Sequence, residues 1–68
     1  MKYTTMSEIQ FLQTVISNRR DRVRNLAAML RAGVSKRDLD WIRAEIAEHE
    51  AYCARMEQKV KAFFAPAA

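Results

Sequence analysis

The chain carries one histidine and one cysteine, and no Asp, Glu, His or Cys spacing that would ligate a metal. His49 has no nucleophile to activate and no metal partner. Cys53 falls between apolar layers, where a thiol acts as a small hydrophobe. No nucleotide loop, carboxylate dyad or catalytic triad is present. Acid–base, nucleophilic and metal chemistry are therefore not expected, nor is a cofactor. A chain of 68 residues also leaves no room for a sizeable pocket, so no small-molecule substrate is expected. What remains is recognition. Phe11, Val15, Met29, Trp41, Tyr52 and Arg55 are of the types enriched in the cores of protein interfaces. Arg24, Arg31, Lys36, Arg37 and Arg43 could hold phosphates or an acidic partner.

Positioning these residues requires two long helices. Ala, Arg, Glu, Leu, Met and Gln dominate the composition, which favours helix. Thr5 with Glu8 has capping-box spacing, and Ser7 with Gln10 offers a competing frame. The apolar run that follows is Ile9, Leu12, Ile16, then Arg19, then Val23, Leu26 and Leu30. Its steps alternate between three and four, as in a heptad seam with one polar interruption. The only glycine, Gly33, stands where the run stops and is expected in the left-handed conformation of a helix C-cap. Ser35 reads as the N-cap of a second helix, with Asp38 in the acidic place of its first turn. Val34 and Leu39 have the spacing of a hydrophobic staple. The second seam is Leu39, Ile42, Ile46, His49, Cys53, Met56, Val60 and Phe63, in the same alternating steps. Pro66 ends it. Helix 1 is thus expected at about 5–32, the turn at 33–35, helix 2 at about 36–64 and a short tail at 65–68, in a single domain.

Folding the helices back at Gly33 gives a register. Leu30 meets Leu39, Leu26 meets Ile42, Val23 meets Ile46, Ile16 meets Cys53, Leu12 meets Met56 and Ile9 meets Val60. The two interruptions fall in one layer, Arg19 opposite His49. The flanks agree in sign: Glu8 faces Lys59, Arg22 faces Glu45, Arg20 faces Glu50, Gln13 faces Glu57 and Val15 faces Tyr52. Exposed pairs of this kind specify register more than stability. The Arg19/His49 layer is expected to fix register and oligomer state, as buried polar residues do in coiled coils. Glu45 or Glu50 could reach it, since a buried cation is costly unless paired.

The expected fold is therefore all-α, a two-helix antiparallel hairpin of coiled-coil type. So small a chain has a marginal core of its own. Its lone cysteine allows no internal disulfide, so the missing core is expected from self-association. The product would be a homodimeric four-helix bundle. The interface candidates fall on the Arg22/Glu45 side of the hairpin, where scattered surface apolar groups are the alternative. The basic candidates crowd near the hinge, on a face without interleaved aromatics, which weakens base stacking as a mode of binding. The net charge of +4 permits nucleic-acid binding without requiring it. Gly33 and Val34 with Leu39 and Ile42 also mimic a helix-turn-helix. Met29 stands where that motif has a small residue, however, and no third helix exists to build its core.

The start Met1-Lys2-Tyr3-Thr4-Thr5 has no apolar signal-peptide core, and no apolar run reaches membrane-spanning length. A cytoplasmic location is expected, without a membrane partner. No residue motif marks a family. The architecture resembles that of the plasmid copy-number repressor that binds RNA kissing complexes, and small basic hairpins with aromatic faces resemble inhibitors of host machinery from phages and mobile elements. The first expectation is a non-enzymatic protein-interaction module: an adaptor, regulator or inhibitor. The alternative is a nucleic-acid-binding hairpin.

Overall fold

A computed structural model of the chain describes residues 5–65. Two helices, α1 (Met6–Ala32) and α2 (Lys36–Phe64), pack against each other as a hairpin. The hairpin is a rod about 49 Å long and 20 by 17 Å across. The stop at Pro66 lies outside the described residues.

The two candidate frames for the start of α1 resolve in favour of Thr5. Its Oγ1 accepts the Glu8 backbone N–H at 3.2 Å, and Ile9 N–H donates to the Thr5 carbonyl. The first contact satisfies a donor which the first turn of a helix leaves without an internal partner, and the second is the first regular bond of the helix.

At the other end of α1, Gly33 has φ 96° and ψ 126°. The positive φ is the expected one, but the left-handed helical cap is not formed, because ψ is extended. The Gly33 N–H donates to the Leu30 carbonyl at 3.2 Å, a tightened last turn, and the chain then runs straight out of the helix. Nothing lies within 4 Å of where a Cβ on Gly33 would stand. Backbone conformation, and not space, is what requires glycine here.

Ser35 then caps α2. Its Oγ accepts the Asp38 N–H at 3.3 Å, and its carbonyl accepts both Asp38 N–H and Leu39 N–H at 3.0 Å. The Ser35 hydroxyl donates in turn to Asp38 Oδ2 at 3.2 Å. The acid at the third position is therefore used, but it accepts from the cap's hydroxyl and not from its backbone N–H. The second oxygen of Asp38 accepts the Trp41 indole Nε1–H at 3.0 Å. We expect Ser35→Ala to destabilise the hairpin by about 1 kcal/mol, the usual worth of a serine N-cap. A thermal melt of the variant checks this.

The seam is the core. Ile9, Ile16, Leu26, Ile42 and Cys53 are buried, and every other seam position from Leu12 to Phe63 is half-buried. It leaves α1 at Leu30 and resumes in α2 at Leu39. Cys53 sits deep enough for its Sγ to approach the Ile16 carbonyl at 3.8 Å, across the helix pair. No helix of the described residues is long and apolar enough to cross a membrane.

Candidate functional site

The polar layer lies where α1 and α2 cross at mid-length. Arg19 Nη1–H donates to His49 Nδ1 at 3.1 Å. A guanidinium can only donate, so Nδ1 is the acceptor and the ring hydrogen resides on Nε2. Nε2–H then points to Glu45 Oε1 at 3.4 Å, and the same oxygen is 3.5 Å from Arg22 Nη2. One guanidinium group and one imidazole thus converge on a single carboxylate, and Arg19 is joined to it through the imidazole. The layer is not sealed: Arg19, Glu45 and His49 are half-buried, Arg22 is exposed, and no charged side chain is buried among the described residues.

Arg19 leaves the seam for a second reason. Its guanidinium carbon lies 3.9 Å from the centroid of the Tyr52 ring. Side chains on a helix lean toward its N-terminus, so Arg19 leans toward the open end of the hairpin, where Tyr52 stands one step beyond His49. A cation over a tyrosine face is attracted by the ring quadrupole. The guanidinium of Arg55 approaches the same ring at 5.9 Å.

The same lean explains one departure from the expected flank pairs. Arg20 pairs with Glu57 and not with Glu50. Arg20 leans toward the open end, and Glu57, which lies nearer that end, leans back toward the hinge. Glu57 is then taken, so Gln13 shares a groove with it but makes no hydrogen bond to it. Arg22 and Glu45 pair as their positions require. Glu8 and Lys59 line one hollow with Phe11 and Leu12, but form no ion pair among the described residues.

The interface candidates occupy one flank. Phe11 is 67%, Met29 40% and Trp41 44% exposed. Val15 and Tyr52 are half-buried, and Arg55 is exposed. Phe11 and Trp41 lie near opposite ends of this flank, about 25 Å apart along the axis at about 1.5 Å per residue. Asn18, Arg22, Asn25, Glu45 and Glu48 fill the middle. The flank therefore has apolar ends and a polar centre.

The opposite flank is different. The seam opens there into a groove of about 380 Å³ bounded by Val23, Cys53 and Ala54, with Arg20, Arg24, Glu50 and Glu57 at its rim. A second groove continues past the Arg20–Glu57 pair toward Val60. Of the basic candidates, Arg24 is tied to Asp21 one turn earlier on α1. Arg31, Lys36, Arg37 and Arg43 are exposed and form no ion pair among the described residues. They remain near the hinge, beside the positive end of the α2 dipole.

Four features went beyond the reading of the sequence: the indole bond to Asp38, the Arg19–Tyr52 stack, the Arg24–Asp21 pair and the exposure of Met6 and Phe64 near the open end. The first and third are three residues apart on one helix, a spacing that places side chains on one face. Among the described residues, no three His, Cys, Asp or Glu side chains gather as metal ligands do. Comparison of the chain with protein-family models, with curated proteins and with solved structures gives no match.

Proposed function

We propose that the hairpin is a cytoplasmic, non-enzymatic protein-interaction module, an adaptor, regulator or inhibitor, that works through the flank carrying Phe11, Val15, Met29, Trp41, Tyr52 and Arg55. Packing a second hairpin on that flank would complete a four-helix bundle. One observation carries the reading: large apolar side chains at Phe11, Met29 and Trp41 stand exposed on the same flank. Exposed aromatic residues and methionine are of the types enriched in the cores of protein interfaces. The mid-flank chemistry also suits binding better than turnover, because both nitrogens of His49 are already engaged.

Trp41 is the chain's one tryptophan, so its fluorescence reports on the flank. We expect acrylamide to quench it weakly once the flank is covered. Phe11→Ser with Met29→Ser should restore full quenching while far-ultraviolet dichroism stays helical. A tryptophan fully open to quencher in the wild-type protein at every concentration, and in the presence of host extract, would refute the reading.

A second reading rests on Arg31, Lys36, Arg37 and Arg43, which are exposed and unpaired among the described residues. These could engage nucleic-acid phosphates. Affinity for labelled RNA or DNA should then fall steeply with salt, and Arg31→Ala with Arg43→Ala should flatten the slope. An absence of binding at low salt removes this alternative.

A further inference from the structure

We infer, resting on the reading of the Phe11–Trp41 flank as an interface, that Asp38 is a positioning residue for that flank. Its carboxylate ties the Trp41 indole to the N-cap of α2 and presets the ring for contact.

Asp38 stands in the first turn of α2, where an acid is favoured beside the free N–H groups of a helix start. Both of its carboxylate oxygens are engaged. Oδ2 accepts the Ser35 hydroxyl at 3.2 Å, and Oδ1 accepts the Trp41 Nε1–H at 3.0 Å. The Asp38 backbone N–H donates to Ser35 Oγ at 3.3 Å, so the cap fixes both the backbone and the side chain of Asp38. Capping needs only the contacts with Ser35. The bond to Trp41 satisfies no backbone group of the helix start. What it holds is the indole.

Trp41 is 44% exposed. A ring so open to water can turn among several rotamers unless something fixes it. Asp38 lies three residues earlier, on the same face of the helix. Side chains lean toward the helix N-terminus, which carries the indole toward that carboxylate. A hydrogen bond to a carboxylate is stronger than one to a neutral acceptor. A ring ordered in the free chain does not have to be ordered again on association, and lower ordering costs raise affinity. The bond also decides what the ring can recognise. A buried tryptophan N–H usually needs an acceptor, and one left without it is costly. Here the chain supplies its own. Trp41 offers ring carbon outward, and the partner that fits has an apolar seat for the ring with no acceptor in it. Phe11 and Met29, the other exposed apolar groups of the flank, have no side-chain donor to be tethered by. Trp41 is the fixed point of the flank near the hinge.

The single tryptophan gives one indole N–H resonance, so solvent exchange can be read at this site alone by nuclear magnetic resonance. In dilute wild-type protein the indole N–H should exchange several-fold more slowly than in the urea-unfolded chain. Time-resolved fluorescence anisotropy of Trp41 should show no fast component. Asp38→Ala should raise exchange to the unfolded rate and introduce the fast component, with far-ultraviolet dichroism still helical. If that variant loses its helices, Asp38→Asn takes its place, and exchange faster than in the wild type is again expected. Ser35→Ala removes the cap but leaves the carboxylate, and should keep the indole protected. A capping role alone would lower the melting temperature in the Ser35 and Asp38 variants alike and leave the indole unaltered in both. An indole N–H exchanging at the same rate in the wild type and in the folded Asp38 variant overturns the inference. So does a Ser35→Ala variant that frees the ring as fully as the loss of Asp38. Failure of the interface reading has a different signature: Trp41 open to quencher under every condition, while the N–H stays protected in the wild type.

Discussion

Leu26→Ala should cost the hairpin about 2–5 kcal/mol, and Ile42→Ala should do the same, because each removes a large side chain that the fold fully encloses. Both residues are 0% exposed, and the register sets them opposite each other near the hinge. A core this small supplies ~3–5 kcal/mol of net stability at best. Either substitution therefore consumes most of what holds the chain together. At 25 °C the variant should show a large loss of helical dichroism, and its urea midpoint should move to near zero. Ile9 is also 0% exposed, yet Ile9→Ala should cost less in a global melt. It sits in the first turns of α1, where local fraying can absorb the damage. A urea midpoint for Leu26→Ala within error of the wild type would show that the seam does not stabilise the hairpin. A midpoint that rises with protein concentration would show the folding to be linked to assembly.

Gly33→Ala has the second largest expected effect, and its origin is different. No atom lies within 4 Å of the place a Cβ would take, so nothing is pushed aside. The penalty is torsional: at φ 96° a residue with a Cβ is held in a sparsely populated region, at about 1–3 kcal/mol. The variant should melt earlier by that amount, with seam and flank otherwise unaltered. Gly33→Asn should lose about as much, because asparagine eases only the left-handed helical region and Gly33, at ψ 126°, lies outside it. Equal stabilities for glycine and alanine at this position would mean that the turn relaxes to another conformation in solution.

The seams were the most legible part of the chain. Alternating steps of three and four can satisfy only a helix that buries one narrow stripe, and every seam position from Ile9 to Phe63 is buried or half-buried. The hinge was legible as a break but not in its angles. A glycine announces positive φ without specifying ψ, and extended backbone at Ser35 sets the exit direction. The start of α1 was ambiguous because Thr5 and Ser7 both present a hydroxyl three residues before a Glu or Gln. Flank pairing was legible only where partners stand level, as with Arg22 and Glu45. Arg20 and Arg24 found other partners, one through the lean of side chains along the helix and one through a neighbour on the same turn. The interface candidates were legible as residue types. Their exposure shows what the hairpin leaves uncovered.

The seam leaves α1 at Leu30 and re-enters α2 at Leu39, and this interval has a consequence for how the chain can misassemble. Nine residues are about two and a half turns of helix at 3.6 residues per turn. Were the turn to straighten into continuous helix, the two seams would emerge on opposite sides of a single rod. Such a rod could not present both seams to one swapped partner, as hairpins with in-phase seams can. Each side would have to recruit a different neighbour, and the product would be an open-ended fibre in place of a closed pair. The half-turn offset therefore makes bending back the one arrangement in which a single molecule satisfies both of its own stripes. It also places on three residues, Gly33 to Ser35, the task of keeping the chain from polymerising.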